Sequence, residues 1–232
     1  MVDLTGPSPD GARDDLSDNA HRQLIGYIGL ALPVLLYILA GARPTSGLDR
    51  WQPLGSISAY FYTGAVAAFV GMLVALALFL LTYRGYANQY HRLDRAAAVT
   101  AGCAALAVAF FPTGAPIPDL ELSWWSRGSG IIHYVAAVVL FGSFAFFSLF
   151  LFRLGTDKSP PADKRRLNTI FLICGIAIVA GMVWAGLNGW TKKSIFVPES
   201  VALTAFSVSW LVKGRAHRTI ASAVRSVSKA GQ

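Results

Sequence analysis

Histidine ordinarily titrates near neutral pH and can act as a base, a hydrogen-bond relay or a metal ligand. His133 follows Gly128-Ser129-Gly130 and stands beside Tyr134. An acid able to pair with it, Glu199, follows Pro198 far along the chain. Hydroxyls gather in Ser56-Ile57-Ser58-Ala59-Tyr60-Phe61-Tyr62-Thr63, and an amide, Asn188, lies just before Trp190 and Thr191. An imidazole, a carboxyl, hydroxyls and an amide can together hold a small polar molecule by hydrogen bonds, and that set (His133, Glu199, Ser56, Ser58, Tyr60, Tyr62, Asn188) is the candidate binding site. The same groups could attack an ester, with Ser56 or Ser58 as nucleophile, His133 as base and Glu199 orienting it. No Gly-x-Ser-x-Gly elbow accompanies those serines, so no residue is assigned as catalytic. A metal at His133 would need Glu199, Asp119 or Glu121 as co-ligands, because the other three histidines (His21, His91, His217) fall on the opposite side of the topology below. No metal or other cofactor is expected.

What must position these residues is a membrane domain. Hydrophobic residues make up 54% of 232 and charged ones 14%, and mean hydropathy is +0.51. Apolar runs near the 20 residues or so needed to cross about 30 Å of hydrocarbon occur at Leu24–Gly41, Ala59–Tyr83, Arg95–Pro112, Ile131–Phe152, Leu167–Leu187 and Ser194–Val212. In lipid each segment must satisfy its own backbone, so the runs read as helices; they are continuous, unlike the alternating segments of an outer-membrane barrel. The expected fold is an all-α, polytopic transmembrane bundle of six helices over 23–213.

Charge sets the orientation. With the N-terminus inside, fifteen Lys and Arg face the cytoplasm, and only Arg43, Arg50, Arg127, Lys192 and Lys193 lie outside. That asymmetry places both termini in the cytoplasm. It also accounts for the net charge of +8 without nucleic acid, since the basic loops border spans where anionic lipid headgroups are the natural partner. Residues 1–22, rich in Asp, Pro, Gly and Ser, are expected to be a disordered tail. Ala40-Gly41-Ala42 resembles a signal-peptidase site, but five acids against two arginines precede it, which counts against cleavage. The segment Gly155–Pro161 reads as a cytoplasmic linker. In the basic tail 214–232, Ile220, Val224 and Val227 fall on one helical stripe, which suggests an amphipathic segment on the inner surface.

Cys103 and Cys174 both lie within predicted spans and read as buried structural thiols. Ala97, Ala101, Ala105 and Ala109 in the third span, and Gly175, Gly181, Ala185 and Gly186 in the fifth, form small-residue faces that let helices approach closely. Both spans are expected in the bundle interior, and the phenylalanine-rich end of the fourth (Phe141 to Phe152) is expected to meet lipid. Such faces also leave homo-oligomerisation open.

On a helix Ser56, Tyr60 and Thr63 would share one face. The apolar stretch Val201–Val212 is too short to span alone, so its helix should begin near Ser194, with Glu199 one to two turns deep. An acid there is either a functional group facing the bundle or a first-turn acid favoured by the helix dipole. His133 is likewise either a ligand-binding group or a member of the interfacial aromatic belt.

The strings Ser56–Thr63, Thr82-Tyr83-Arg84-Gly85-Tyr86 and Ser209-Trp210-Leu211-Val212-Lys213-Gly214 resemble marks of a family of small, multi-spanning bacterial integral membrane proteins. The resemblance covers most of the membrane domain. It implies a six-helix protein of the cytoplasmic (inner) membrane and brings no activity with it. Seven-helix zinc hydrolases carry a histidine pair in their last span that this chain lacks. Three readings follow, in order: a protein with an outward-facing polar pocket that binds, senses or passes a small molecule; a structural or assembly subunit; and a hydrolase acting on lipid. No Asp, Glu, Lys, Arg or His lies at the middle of any span, which argues against proton- or sodium-coupled transport.

Overall fold

A computed structural model describes residues 9–85, 89–154 and 162–215. Among them the fold is all-α. Six α-helices follow one another: α1 (Pro9–Ala42), α2 (Val66–Thr82), α3 (His91–Phe110), α4 (Arg127–Phe146), α5 (Ala162–Trp190) and α6 (Phe196–Lys213), with α4 continued by a π-helical turn at Phe147–Leu151. Asp18–Ala42, His91–Phe110, Arg127–Leu151 and Lys164–Trp190 are each long and apolar enough to cross a membrane. Helix α2 is strongly apolar but has 17 residues, roughly 25 Å of helix. Helix α6 has 18 residues and carries Glu199 and Lys213 near its ends.

The helices form a closed ring in chain order. α1 packs on α2 and α6, α2 on α3, α3 on α4, and α5 on α6 and on the final turns of α4. Glycine permits the close crossings. A Cβ at Gly29 of α1 would stand 2.5 Å from Ser207 Oγ of α6, and one at Gly175 of α5 would stand 2.4 Å from Leu149 of α4. The centre is filled by large side chains, among them Leu36, Phe69, Leu76, Phe144, Phe206 and Trp210, and the rings of Phe144 and Phe206 stack at 3.6 Å.

Basic side chains collect at one end and satisfy the carbonyls that helix ends leave open. Arg95 donates to Leu81 O and, at 3.0 Å, to Tyr83 O at the end of α2. Arg153 donates to Leu149 O at 2.9 Å, and Lys213 to Phe152 O at 3.1 Å. Positive charge there complements the negative C-terminal ends of the helix dipoles.

Several sequence expectations are corrected. Residues 9–22, assigned to a disordered tail, extend α1. The second apolar run is not one helix: a 3₁₀ helix (Ser58–Tyr62) precedes α2, separated by extended Thr63 and by Gly64. Thr63 Oγ1 accepts from Ala65 N at 3.1 Å, and a Cβ at Gly64 would lie 2.5 Å from Arg43 Cβ, so the chain turns where a hydropathy window sees continuity. Cys103 is exposed on α3, while Cys174 is buried. Phe144, Phe147 and Phe152 are buried, Phe141 and Phe146 half-buried, and Phe150 exposed. Helix α5, expected inside, is the least buried of the four long apolar helices. The linker Gly155–Pro161 and the stripe Ile220, Val224, Val227 lie outside the described residues.

Candidate functional site

The end of the bundle opposite the basic side chains carries the polar assembly. Helix α4 begins there under a local cap, with Ser126 Oγ accepting from Ser129 N at 3.3 Å. Two turns on, His133 points inward and is 2% exposed. Its Nδ1 lies 2.7 Å from the carbonyl of Phe111, the residue that ends α3, and its Nε2 lies 2.8 Å from Ser58 Oγ. A carbonyl only accepts, so the proton is assigned to Nδ1; the neutral ring then accepts the Ser58 hydroxyl proton at Nε2. The free carbonyl at the end of α3 thus holds the imidazole in one tautomer and one orientation.

Glu199 sits in the first turn of α6, where the helix N-terminus favours an acid. Its Oε2 accepts the N–H of Ile57 at 2.7 Å. Two consecutive residues therefore bind two different helices: the Ile57 main chain holds α6 and the Ser58 side chain holds α4. The 3₁₀ helix works as a strap across this end of the ring.

Two spaces adjoin the strap. A small cavity of about 40 Å³ is lined by Ser58 and Glu199 and otherwise mainly by apolar side chains such as Phe69, Leu140, Phe144 and Leu203. It is large enough for one or two water molecules. An apolar cleft of about 260 Å³ opens between α4, α5 and α6, with Glu199 in its wall beside Tyr134, Phe141, Met182 and Ala185. Glu199 faces both.

The remaining predicted residues lie around this assembly rather than in it. Ser56 Oγ accepts from Ala59 N at 3.0 Å and shapes the strap. Tyr60 is buried against Phe196, its hydroxyl 3.5 Å from Leu54 N. The Tyr62 hydroxyl donates to Thr113 O, tying the strap to the α3–α4 connection. Burial, with a smaller contribution from the Glu121 carboxylate, pushes the Tyr62 phenol up to about 12. Asn188 Nδ2 donates to Ser194 O at 2.7 Å and braces the turn between α5 and α6. Glu121 Oε2 accepts from Ala115 N at 3.0 Å within its own loop.

The expected order of a nucleophile, a base and an acid orienting it does not form. Ser58, not Ser56, meets His133; Glu199 contacts Ile57; and the group orienting the imidazole is the Phe111 carbonyl. Side-chain chemistry could not reveal the two main-chain partners. The one hint was Pro112, since proline commonly follows a helix C-terminus, where carbonyls are left open. Among the described residues no group of three or more His, Cys, Asp and Glu side chains is placed to hold a metal. No family model, curated protein or solved structure matches the chain. Fold and site thus define a class only: an all-α protein with membrane-length apolar helices and a buried Ser–His pair beside an acid-walled cleft.

Proposed function

We propose that this chain is a six-span protein of the cytoplasmic membrane, with both termini in the cytoplasm, and that the strap end of the bundle is an outward-facing pocket that binds or passes a small molecule. The observation that carries the reading is the use of adjacent residues, Ile57 and Ser58, to hold Glu199 and His133, with Glu199 in the wall both of the small cavity beside Ser58 and of the larger cleft between α4, α5 and α6. The 15-to-5 division of basic residues supports the orientation, and the basic caps at the other end of the ring agree with it. The absence of Asp, Glu, Lys, Arg and His at mid-span favours passive permeation or reception over ion coupling.

The hydrolase reading is disfavoured on physical grounds. A cavity of about 40 Å³ beside Ser58 admits water but no acyl group. The main-chain N–H groups on either side of Ser58 are occupied, Ile57 by Glu199 and Ala59 by Ser56, so neither is available to an oxyanion.

Native mass spectrometry of the purified protein tests the binding reading. A small molecule retained by the wild type should be lost from His133→Ala and Glu199→Ala variants that still melt cooperatively. Wild-type retention in both variants overturns it.

A further inference from the structure

Glu199 makes one hydrogen bond among the described residues, from Ile57 N to Oε2, and no ion pair. Its second carboxyl oxygen accepts nothing there. Among the described residues it is also the only Asp, Glu, Lys, Arg or His lining the cleft between α4, α5 and α6. A lone carboxylate in an apolar wall is costly unless a proton neutralises it or a partner of opposite charge joins it.

The cleft has a shape to match. Gly181, Ala185, Gly186 and Gly189 of α5 line it, and a Cβ at Gly186 or Gly189 would meet nothing within 4 Å. Of the small residues that suggested a packing face, Gly175 presses on Leu149 and Gly181 on α6 at Pro198 and Ala202, whereas Gly186 leaves an open channel. Tyr134 and Val138, which form the α4 wall, are 58% and 63% exposed on the outer surface of the ring, so the cleft opens sideways. A volume of about 260 Å³ lies just below the usual range for small-molecule pockets of about 300–1,000 Å³, which suits one alkyl chain and not a diacyl lipid.

We infer that this cleft takes a single-chain amphiphile bearing a protonated amine, entering sideways from the bilayer, with its ammonium on Glu199 and its chain along Phe141, Met182 and Ala185. The inference rests on the pocket reading above and names its ligand class. An ammonium donates charge-assisted hydrogen bonds to the open carboxyl oxygen; an alcohol donates a weaker neutral one, and a fatty acid is repelled.

The test uses the full chain in lipid nanodiscs and three photoreactive probes of equal length: dodecylamine, dodecanol and dodecanoic acid, each with a terminal diazirine. Crosslinks are mapped by peptide mass spectrometry. The amine should label the α4 and α5 walls about tenfold more than the alcohol, as one charge-assisted bond in place of a neutral one provides. Glu199→Gln keeps an acceptor for Ile57 N and should bring amine labelling down to the alcohol's level, in the same lipid and with unchanged melting. Gly186→Phe, placed where side-chain space is open, should reduce labelling by the amine and the alcohol alike. Equal labelling by amine and alcohol in the wild type, or an amine preference that survives Glu199→Gln, overturns the amine assignment and leaves the pocket reading standing. No labelling of the cleft by any probe overturns both.

Discussion

Ser58 and His133 meet at 2.8 Å, hydroxyl to Nε2, with both side chains buried and the far side of the imidazole fixed on Phe111 O. This one ring joins the end of α3, the start of α4 and the strap before α2. His133→Ala leaves a buried hydroxyl and a helix-end carbonyl without their partner, which should cost about 1–3 kcal/mol. Ser58→Ala strands only the Nε2 lone pair, so its cost should fall at the lower end of that range. Thermal unfolding in detergent checks the order: His133→Ala should melt below Ser58→Ala, and the double variant should lie close to His133→Ala because the two losses are shared.

Tyr62 supplies a pH dependence at the same end. Its phenol is raised from 10.0 to about 12 by burial first and by Glu121 second. The unfolded chain releases that proton near 10 while the folded chain holds it, so the unfolded state binds fewer protons between these values. The stabilisation is complete below pH 10 and is lost as pH rises towards 12. Melting temperature should therefore fall more steeply above pH 10 in the wild type than in Tyr62→Phe, although the variant starts lower because it has lost its hydrogen bond to Thr113 O.

Apolar run length made four membrane-length helices legible, since an apolar segment of about 20 residues has few alternatives to a helix in lipid. The break before α2 was not legible, because Thr63 and Gly64 hardly change a hydropathy average while their backbone ends a 3₁₀ helix. Gly26 and Gly29 of α1 are where α6 approaches closely, a contact for which a hydropathy average carries no signal. Spacing read α5 only in part: Gly175 and Gly181 press on Leu149 and on α6 as expected, whereas Gly186 of the same set faces open space. At the site, residue type singled out His133, Glu199 and Ser58, whereas their pairing runs through the Ile57 N–H and the Phe111 carbonyl, groups every residue carries.

The α1–α6 crossing offers a packing test. A methyl added at Gly29 would stand 2.5 Å from Ser207 Oγ and 3.1 Å from the Phe206 ring, so Gly29→Ala should destabilise by about 1–3 kcal/mol through overpacking. Ser207 donates back to Leu203 O within its own helix, so Ser207→Ala alone should be mild. Combined with Gly29→Ala it removes the nearer clash, and the pair should recover about 0.5 kcal/mol or more relative to additivity. Gly71→Ala serves as the control. It lies in α2 with nothing within 4 Å of the new methyl and should be neutral or stabilising by up to about 1 kcal/mol.

The proposed orientation is tested by single cysteines at exposed positions that leave the basic count untouched. Gln89 precedes α3 on the side of the basic caps, and Asp119 lies in the α3–α4 connection on the side of the strap. Cys103 must be replaced first because it is exposed, and Cys174 with it. A membrane-impermeant maleimide applied to intact bacterial cells should label Asp119→Cys and spare Gln89→Cys until the cells are lysed. Neither substitution removes a Lys or Arg, and acids weigh little in setting topology, so the result reports the native arrangement. Labelling of Gln89→Cys in intact cells, with Asp119→Cys protected, would invert the topology and turn the strap and its cleft towards the cytoplasm.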